Sequence, residues 1–298
     1  SPCPLPKGEG SETLPIGIGC TASLASDRPK RGAHRIHVAA QTADATITHS
    51  LELLKDRRSR ADEEQIAATL VLNLIAEAFG IEARLPLALL DGEHVESKRT
   101  IAPPGWRDLL TGHTSAVVSE LHSSTKPRLV FPGAFNPLHL GHLRMAQLAA
   151  DRYGAPAEFE ISIANVDKLG LDYTEMERRA VQFSQRHLPL WFTYAPTFTE
   201  KAKLFPHCIF IVGADTIERI AHCKYYDHDA AKADAAIAAI ADRDCRFLVF
   251  GRQTAGGFQT LAQLDLPAAL RKLCDEVPAT TFREDVSSTQ LRQRTTNG

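Results

Sequence analysis

The chain has 298 residues, 44% hydrophobic and 23% charged, so it is long enough for two compact cores and is neither a disordered nor a fibrous sequence. Lysine and arginine number 34 against 36 aspartate and glutamate, which excludes an overall positive field for nucleic acid or an anionic membrane, so any phosphate site must be local. Six scattered cysteines without a CxxC pair fit a reducing cytoplasm, and no apolar run has signal-peptide character or the roughly 20 residues of a bilayer span.

Residues 1 to about 14 are rich in Pro, Gly, Ser and Glu and read as a loop. PIGIGCTAS and HRIHVAAQT read as two strands joined by a basic loop, and ATITHSLEL continues in the same manner. Next, Ile66, Leu70, Leu74 and Ala78 recur four apart, with Ala67, Val71 and Ile75 beside them, which is helical spacing. Asp62 and the two glutamates after it favour that helix's start, and Gly80 its end. Then come a strand at SKRTIA, a Pro-Pro-Gly turn at 103–105 and an apolar stretch near Ser115–Leu121. The polar run HSSTKP places a domain boundary at about residue 126.

After it, strands and helices alternate: PRLVF, LGHLRMAQLAADRYG, AEFEISIA, YTEMERRAVQFSQRH, LWFTYA, FTEKAKLF, CIFIVGAD, TIERIAHC, an alanine-rich helix near 229–241, and RFLVFGR. The expected fold is therefore α/β. Residues 127–298 form a Rossmann-like parallel sheet with helices on both faces, and residues 1–126 a smaller α/β amino-terminal domain. Ligands of such sheets bind beyond the carboxyl ends of the strands.

The segment FPGAFNPLHLGH, residues 131–142, lies between the first of these strands and its helix. Gly133 lets the backbone turn closely past a phosphate, Asn136-Pro137 stops the strand, and His139 and His142 stand one helical turn apart, able to face one ligand. The helix start adds N–H groups and partial positive charge where an anion would sit. Near the other end, REDVSSTQLRQR offers Ser287, Ser288 and Thr289 as cap and phosphate donors, with Arg292 on the same face.

GAFNPLHLGH resembles the HxGH motif of the nucleotidylyltransferases, especially the nicotinamide and nicotinate mononucleotide adenylyltransferases, and SSTQLR resembles their SSTxxR signature. The likeness covers about residues 128–298. It implies direct attack of a substrate phosphate on the α-phosphorus of ATP, with ATP and nicotinamide mononucleotide as partners, Mg²⁺ on the triphosphate and no protein metal ligand. His139, His142 and Lys168 then take the catalytic positions. Gly133, Phe135, Asn136, His139, His142, Ser287, Ser288, Thr289 and Arg292 bind ATP, while Lys168, Gly213, Asp215 and Tyr225 bind the acceptor. Lys168 falls in a stretch similar to the family's lysine loop, supported by Arg178 or Arg179, and IVGADT resembles its GxD element. Where relatives place a pyridine-stacking Trp, this chain has HCKYYD, with Tyr225 or Tyr226 as substitutes.

The stretch GIGCTASLASDRPKRGAHRIHVAAQT with the following helix resembles the later part of the CinA carboxy-terminal domain, a family of nicotinamide-nucleotide amidases. That family's serine-threonine-glycine-glycine segment is absent here, so no amidase activity is expected, but both halves point to pyridine nucleotides. Competing readings make Lys168 a solvated loop residue, Asp215 the cap of its helix, Arg28, Lys30 and Arg31 a solvated basic turn, and Ser287–Arg292 a plain cap. A zinc site at His207-Cys208 and His222-Cys223 lacks ligand spacing. Nicotinate mononucleotide or phosphopantetheine as acceptor, and a nucleotide sensor without turnover, are the alternatives, and a homo-oligomer remains open.

Overall fold

The computed structural model describes residues 16–27, 31–119, 127–164, 170–254 and 257–283. The chain divides into two compact units: residues 1–111 with 172–177, and residues 112–171 with 178–298. The second unit thus begins before residue 126, because a short strand at Ala116–Val118 pairs into its sheet.

In the first unit, β1 (Gly17–Ser23), β2 (His34–Gln41), β3 (Ala45–Leu53) and β4 (Val95–Ile101) form an antiparallel sheet in that order. Helix α1 (Arg60–Ala78) covers one face. Period-two burial on β2 and β3 sends Ile36, Val38, Ile47 and Leu51 to one side, where they meet Ile66, Leu70 and Leu74 of the helix. Ser59 caps α1 in a capping box with Asp62, and Gly80, at φ 71°, follows its last turn. Glu93 accepts from both Arg58 Nη atoms at 2.6 Å and from the N–H groups of Leu54 and Leu90, and the Arg58 guanidinium holds its carboxyl down to about 2. The expected turn at 103–105 is instead the start of helix α2 (Pro104–Thr111): proline suits a first helical position, where its missing N–H is not needed. In the segment 172–177, Tyr173 is buried, donates from its hydroxyl to Ala43 O at 2.7 Å, and has its phenol pushed up to about 12 by that burial.

The second unit contains β5 (Ala116–Val118), β6 (Leu129–Pro132), α3 (Leu140–Tyr153), β7 (Ala157–Ser162), α4 (Tyr173–Ser184), β8 (Leu190–Thr193) and α5 (Phe198–Leu204). It continues with β9 (Ile209–Gly213), α6 (Ala214–Ala221), α7 (Ala230–Ala241), β10 (Arg246–Phe250), the hairpin β11 (Arg252–Thr254) and β12 (Gly257–Gln259), α8 (Ala268–Arg271) and β13 (Cys274–Val277). Of α4, only the residues from Arg178 on belong to this unit. The seven-stranded sheet has the order β13-β10-β9-β6-β7-β8-β5, parallel except for β5. The chain winds outward from β6 to β8, returns to β6's other side at β9, and winds outward again, which makes the β6/β9 boundary the topological switch point. Pairing there stops at Val130↔Phe210, whereas β6 follows β7 to Pro132↔Glu160 and β9 follows β10 to Gly213↔Phe250. The carboxyl ends of β6 and β9 therefore part.

Alternation along the strands splits the core. Val130, Phe210, Val212, Phe247 and Val249 pack with α5, α6, α7 and α8 on one face, while Phe131 and Phe159 meet Phe135 and Phe183 on the other. No helix among the described residues is long and apolar enough to cross a membrane.

On the first of these faces Glu160, fully buried, is held at 2.7 Å through both oxygens by Lys201 Nζ and accepts from Thr193 Oγ1 at 2.5 Å. Removing one partner of such a pair strands a buried charge. Lys201→Met is expected to cost about 3–5 kcal/mol, seen as a lower urea midpoint at constant m-value, and Glu160→Leu in the same chain should restore most of the loss.

Candidate active site

The parted ends of β6 and β9 are occupied by the loop Gly133–Leu138 and the start of α3. Gly133 donates its N–H to Glu160 O at 2.9 Å, so the loop leaves β6 still tied to β7. A Cβ on Gly133 would stand 2.7 Å from the Phe135 ring, which is 2% exposed and packed edge-on against Phe131, Phe159 and Phe183. The glycine expected to make room for a phosphate makes room for this ring, and the Phe135 side chain forms a floor. The Asn136-Pro137 bond is cis, and the chain then enters α3 with His139 as N-cap.

His139 and His142 stack with ring centroids 3.7 Å apart and planes 25° from parallel. The His139 backbone N–H donates to His142 Nδ1 at 3.3 Å, the return half of a capping box with imidazole in the place of a carboxylate. Because Nδ1 accepts, the neutral ring carries its proton on Nε2, which is a donor. Burial, and after it the neighbouring His139, lowers His142 from 6.5 to about 3. The helix start adds its orphan N–H groups beside the pair.

Across the switch point, Gly213 is the N-cap of α6 and Asp215 lies in that helix's first turn. This corrects the reading of Asp215 as the cap: Gly213, extended at φ −84° and ψ 161°, takes that position. The Asp215 carboxylate folds back so that a Cβ on Gly213 would meet its Oδ1 at 2.7 Å. Arg252, just past β10, pairs closely with Asp215, and Arg219 stands 3.8 Å away. Tyr225 is not at this edge. It sits in a 3-10 turn, Cys223–Tyr226, beyond the far end of α6, with Lys224 Nζ 4.8 Å from its ring. The Tyr226 hydroxyl is spent on Ile220 O at 3.2 Å.

The structure thus gathers Gly133, Phe135 and Asn136 in one loop with His139 and His142 at the helix start that follows it, and sets Gly213 and Asp215 at the next strand. Lys168, Ser287, Ser288, Thr289 and Arg292 lie outside the described residues, as do Arg28 and Lys30. Arg178 Nη2 donates to Asn136 Oδ1 at 2.8 Å and Arg179 Nη1 to Ala134 O at 3.1 Å, so both reach the loop. Sequence reading missed Gln182 and Arg252. For Arg252 a signal existed, a basic residue directly after an apolar strand of a parallel sheet. Among the described residues no group of three or more His, Cys, Asp or Glu converges to hold a metal, around His207-Cys208 or elsewhere.

A doubly wound, Rossmann-like α/β domain thus carries two stacked imidazoles at a helix start on its switch point, where the ligands of such sheets bind. The chain belongs to the cytidylyltransferase-like family, which it matches over residues 130–294, more than half its length, and it is therefore a nucleotidyltransferase by family. No curated protein matches it.

Two outcomes follow from this geometry. Gly133→Ala should destabilise the fold by about 1–3 kcal/mol through overpacking, measured by thermal denaturation, with Phe135→Leu relieving the clash in the double variant. In a pH titration followed by imidazole NMR, His142 should stay neutral from pH 8 down to about 4. The unfolded chain binds that proton near 6.5 and the folded chain only near 3, so His142 makes the fold progressively less stable as pH falls between these values. Addition of inorganic triphosphate should raise its titration point, since an anion favours the imidazolium.

Proposed function

We propose that the chain transfers the adenylyl group of MgATP to nicotinamide mononucleotide, giving NAD and pyrophosphate. The observation that carries the reaction type is the stacked His139–His142 pair at the start of α3, on the switch point of the sheet. In this reading a phosphate oxygen of the acceptor forms a bond to the α-phosphorus, the bond from that phosphorus to the bridging oxygen breaks, and pyrophosphate leaves with the electron pair. No protein nucleophile is needed. His142 Nε2–H, His139 and the helix N–H groups stabilise the charge that grows on the phosphates. Ser287, Ser288, Thr289 and Arg292 hold the β- and γ-phosphates, and Lys168 the acceptor phosphate or the triphosphate. Gly213 and Asp215 contact a nucleoside, and Tyr225, which stands away from this edge, takes no part in the reading. Mg²⁺ arrives on the triphosphate as part of the substrate, a role that asks for no protein cage.

The choice of acceptor rests on two sequence likenesses, of residues 128–298 to mononucleotide adenylyltransferases and of the amino-terminal half to a nicotinamide-nucleotide amidase domain. Whether that half is such a domain, without amidase activity, belongs to the same proposal, as does a cytoplasmic setting.

The test is pyrophosphate release with MgATP and, in turn, nicotinamide mononucleotide, nicotinate mononucleotide and phosphopantetheine. Release with the first alone is expected, and His142→Ala should lower kcat about 10²–10³-fold while changing ATP affinity far less. Equal losses in both would remove the transition-state role from His142. Preference for another acceptor would replace nicotinamide mononucleotide, and ATP binding without release with any of the three would favour a sensor.

A further inference from the structure

The loop that carries His139 is gripped at successive points by one face of α4. Arg179 Nη1 donates to Ala134 O at 3.1 Å, Gln182 Nε2 to Phe135 O at 3.4 Å, and Arg178 Nη2 to Asn136 Oδ1 at 2.8 Å, while the Leu138 N–H donates to Gln182 Oε1 at 2.8 Å. Arg178 and Gln182 are one helical turn apart and Arg179 is beside them, so these contacts come from a single face. Gln182 is the distinctive member. Its one planar amide donates on one side of the cis Asn136-Pro137 bond and accepts on the other, immediately before His139. A carboxylate cannot donate and a lysine cannot accept, so only an amide satisfies both groups at this length. The Arg179 side chain, in a residue only 8% exposed, is committed to the loop. This differs from a direct role for either arginine on a substrate phosphate.

We propose that Gln182, with Arg178 and Arg179, is a positioning residue for nucleotidyl transfer: it fixes the Phe135–Leu138 turn, and so the placement of His139 and His142, before any phosphate arrives. The inference rests on the proposed reaction for what is being positioned, but not for the geometry itself. The transition state demands more of imidazole placement than the ground-state complex does, so loosening the turn should lower kcat and leave the KM for MgATP nearly unchanged.

Gln182 is half-buried, so its substitution spares the core. Gln182→Leu removes the two hydrogen bonds to the loop, together with that of Nε2 to Arg178 O at 3.4 Å, at similar size, and Gln182→Glu keeps the oxygen that accepts from Leu138. With MgATP and the acceptor that wild type uses, Gln182→Leu should lose about tenfold or more in kcat with KM within about twofold, and Gln182→Glu, which keeps one of the two loop bonds, should recover only part of the loss. In the free protein, imidazole ¹⁵N NMR should show His142 held as the Nε2–H tautomer in wild type and shifted toward a tautomer mixture in Gln182→Leu. An unchanged kcat, a loss confined to KM, or a Glu variant as active as wild type would overturn the proposal. Should wild type transfer to no acceptor, the reaction reading fails by itself and the NMR decides: a shifted His142 signal in Gln182→Leu upholds the positioning role, and an unmoved one refutes it.

Discussion

The contact on which the site depends is the one between two imidazoles at the mouth of a helix. At a centroid distance of 3.7 Å, His139 and His142 cannot both be charged without a repulsion on the order of 4 kcal/mol at an effective dielectric of about 20. Burial adds its own penalty to His142. In the free site His142 is therefore the neutral ring, with its Nδ1 consumed by a backbone N–H and its Nε2–H left as a donor. In the proposed reaction a phosphate at this place meets the Nε2–H donor, and its negative charge favours the imidazolium form of His142.

That arrangement is carried by the packing beneath it. Phe131, Phe135 and Phe159 stand within 5.5 Å of one another, centroid to centroid, and the His142 ring lies edge-on to both Phe131 and Phe135 at 5.9 and 5.0 Å. The aromatic floor desolvates His142 and also dictates that residue 133 have no side chain, because the Phe135 ring fills that space. On the sheet's opposite face, Glu160 sits on the strand that pairs with β6 and is neutralised by Lys201. Its backbone carbonyl takes the Gly133 N–H, so one residue on β7 anchors the loop through its main chain and the sheet's other face through its side chain.

Much of this was legible in the sequence, and the division follows the range of the interactions. The strand and helix alternation after residue 127 is a local pattern, and the parallel doubly wound order follows from it. The His139–His142 spacing is equally local, set by helix geometry. In the first half β1, β2 and β3 pair with near neighbours in sequence, and only β4, whose Ile101 meets Ala45, comes from far along the chain, so its place at the sheet edge is the part a local pattern does not carry. Pro103-Pro104-Gly105 carries every sign of a turn, and only the tertiary context makes Pro104 the first residue of a helix. Asp215 looked like a cap because acidic residues favour helix starts, a preference that a position inside the first turn satisfies equally well. Gln182 was invisible for a different reason: its partners lie 44 and 47 residues away, and nothing in YTEMERRAVQFSQRH marks one glutamine as facing a loop.

The reach of Gln182 also bears on how a nucleotidyl transfer without a covalent intermediate divides its labour. When the acceptor itself supplies the attacking oxygen, the protein has only positions and dipoles to contribute. Those positions must be set by groups that never meet the substrate. A loop containing an X-Pro turn gives up backbone donors to water unless side chains from elsewhere satisfy them. Here one helix face satisfies them across the turn, and each bond also removes a way for the histidines to drift. Arg252 makes the matching case at β9, where its pairing with Asp215 lets the first turn of α6 present backbone N–H groups beside a carboxylate already neutralised. Gln182 at one strand end and Arg252 at the next thus hold site residues in place from outside the motifs that announce them.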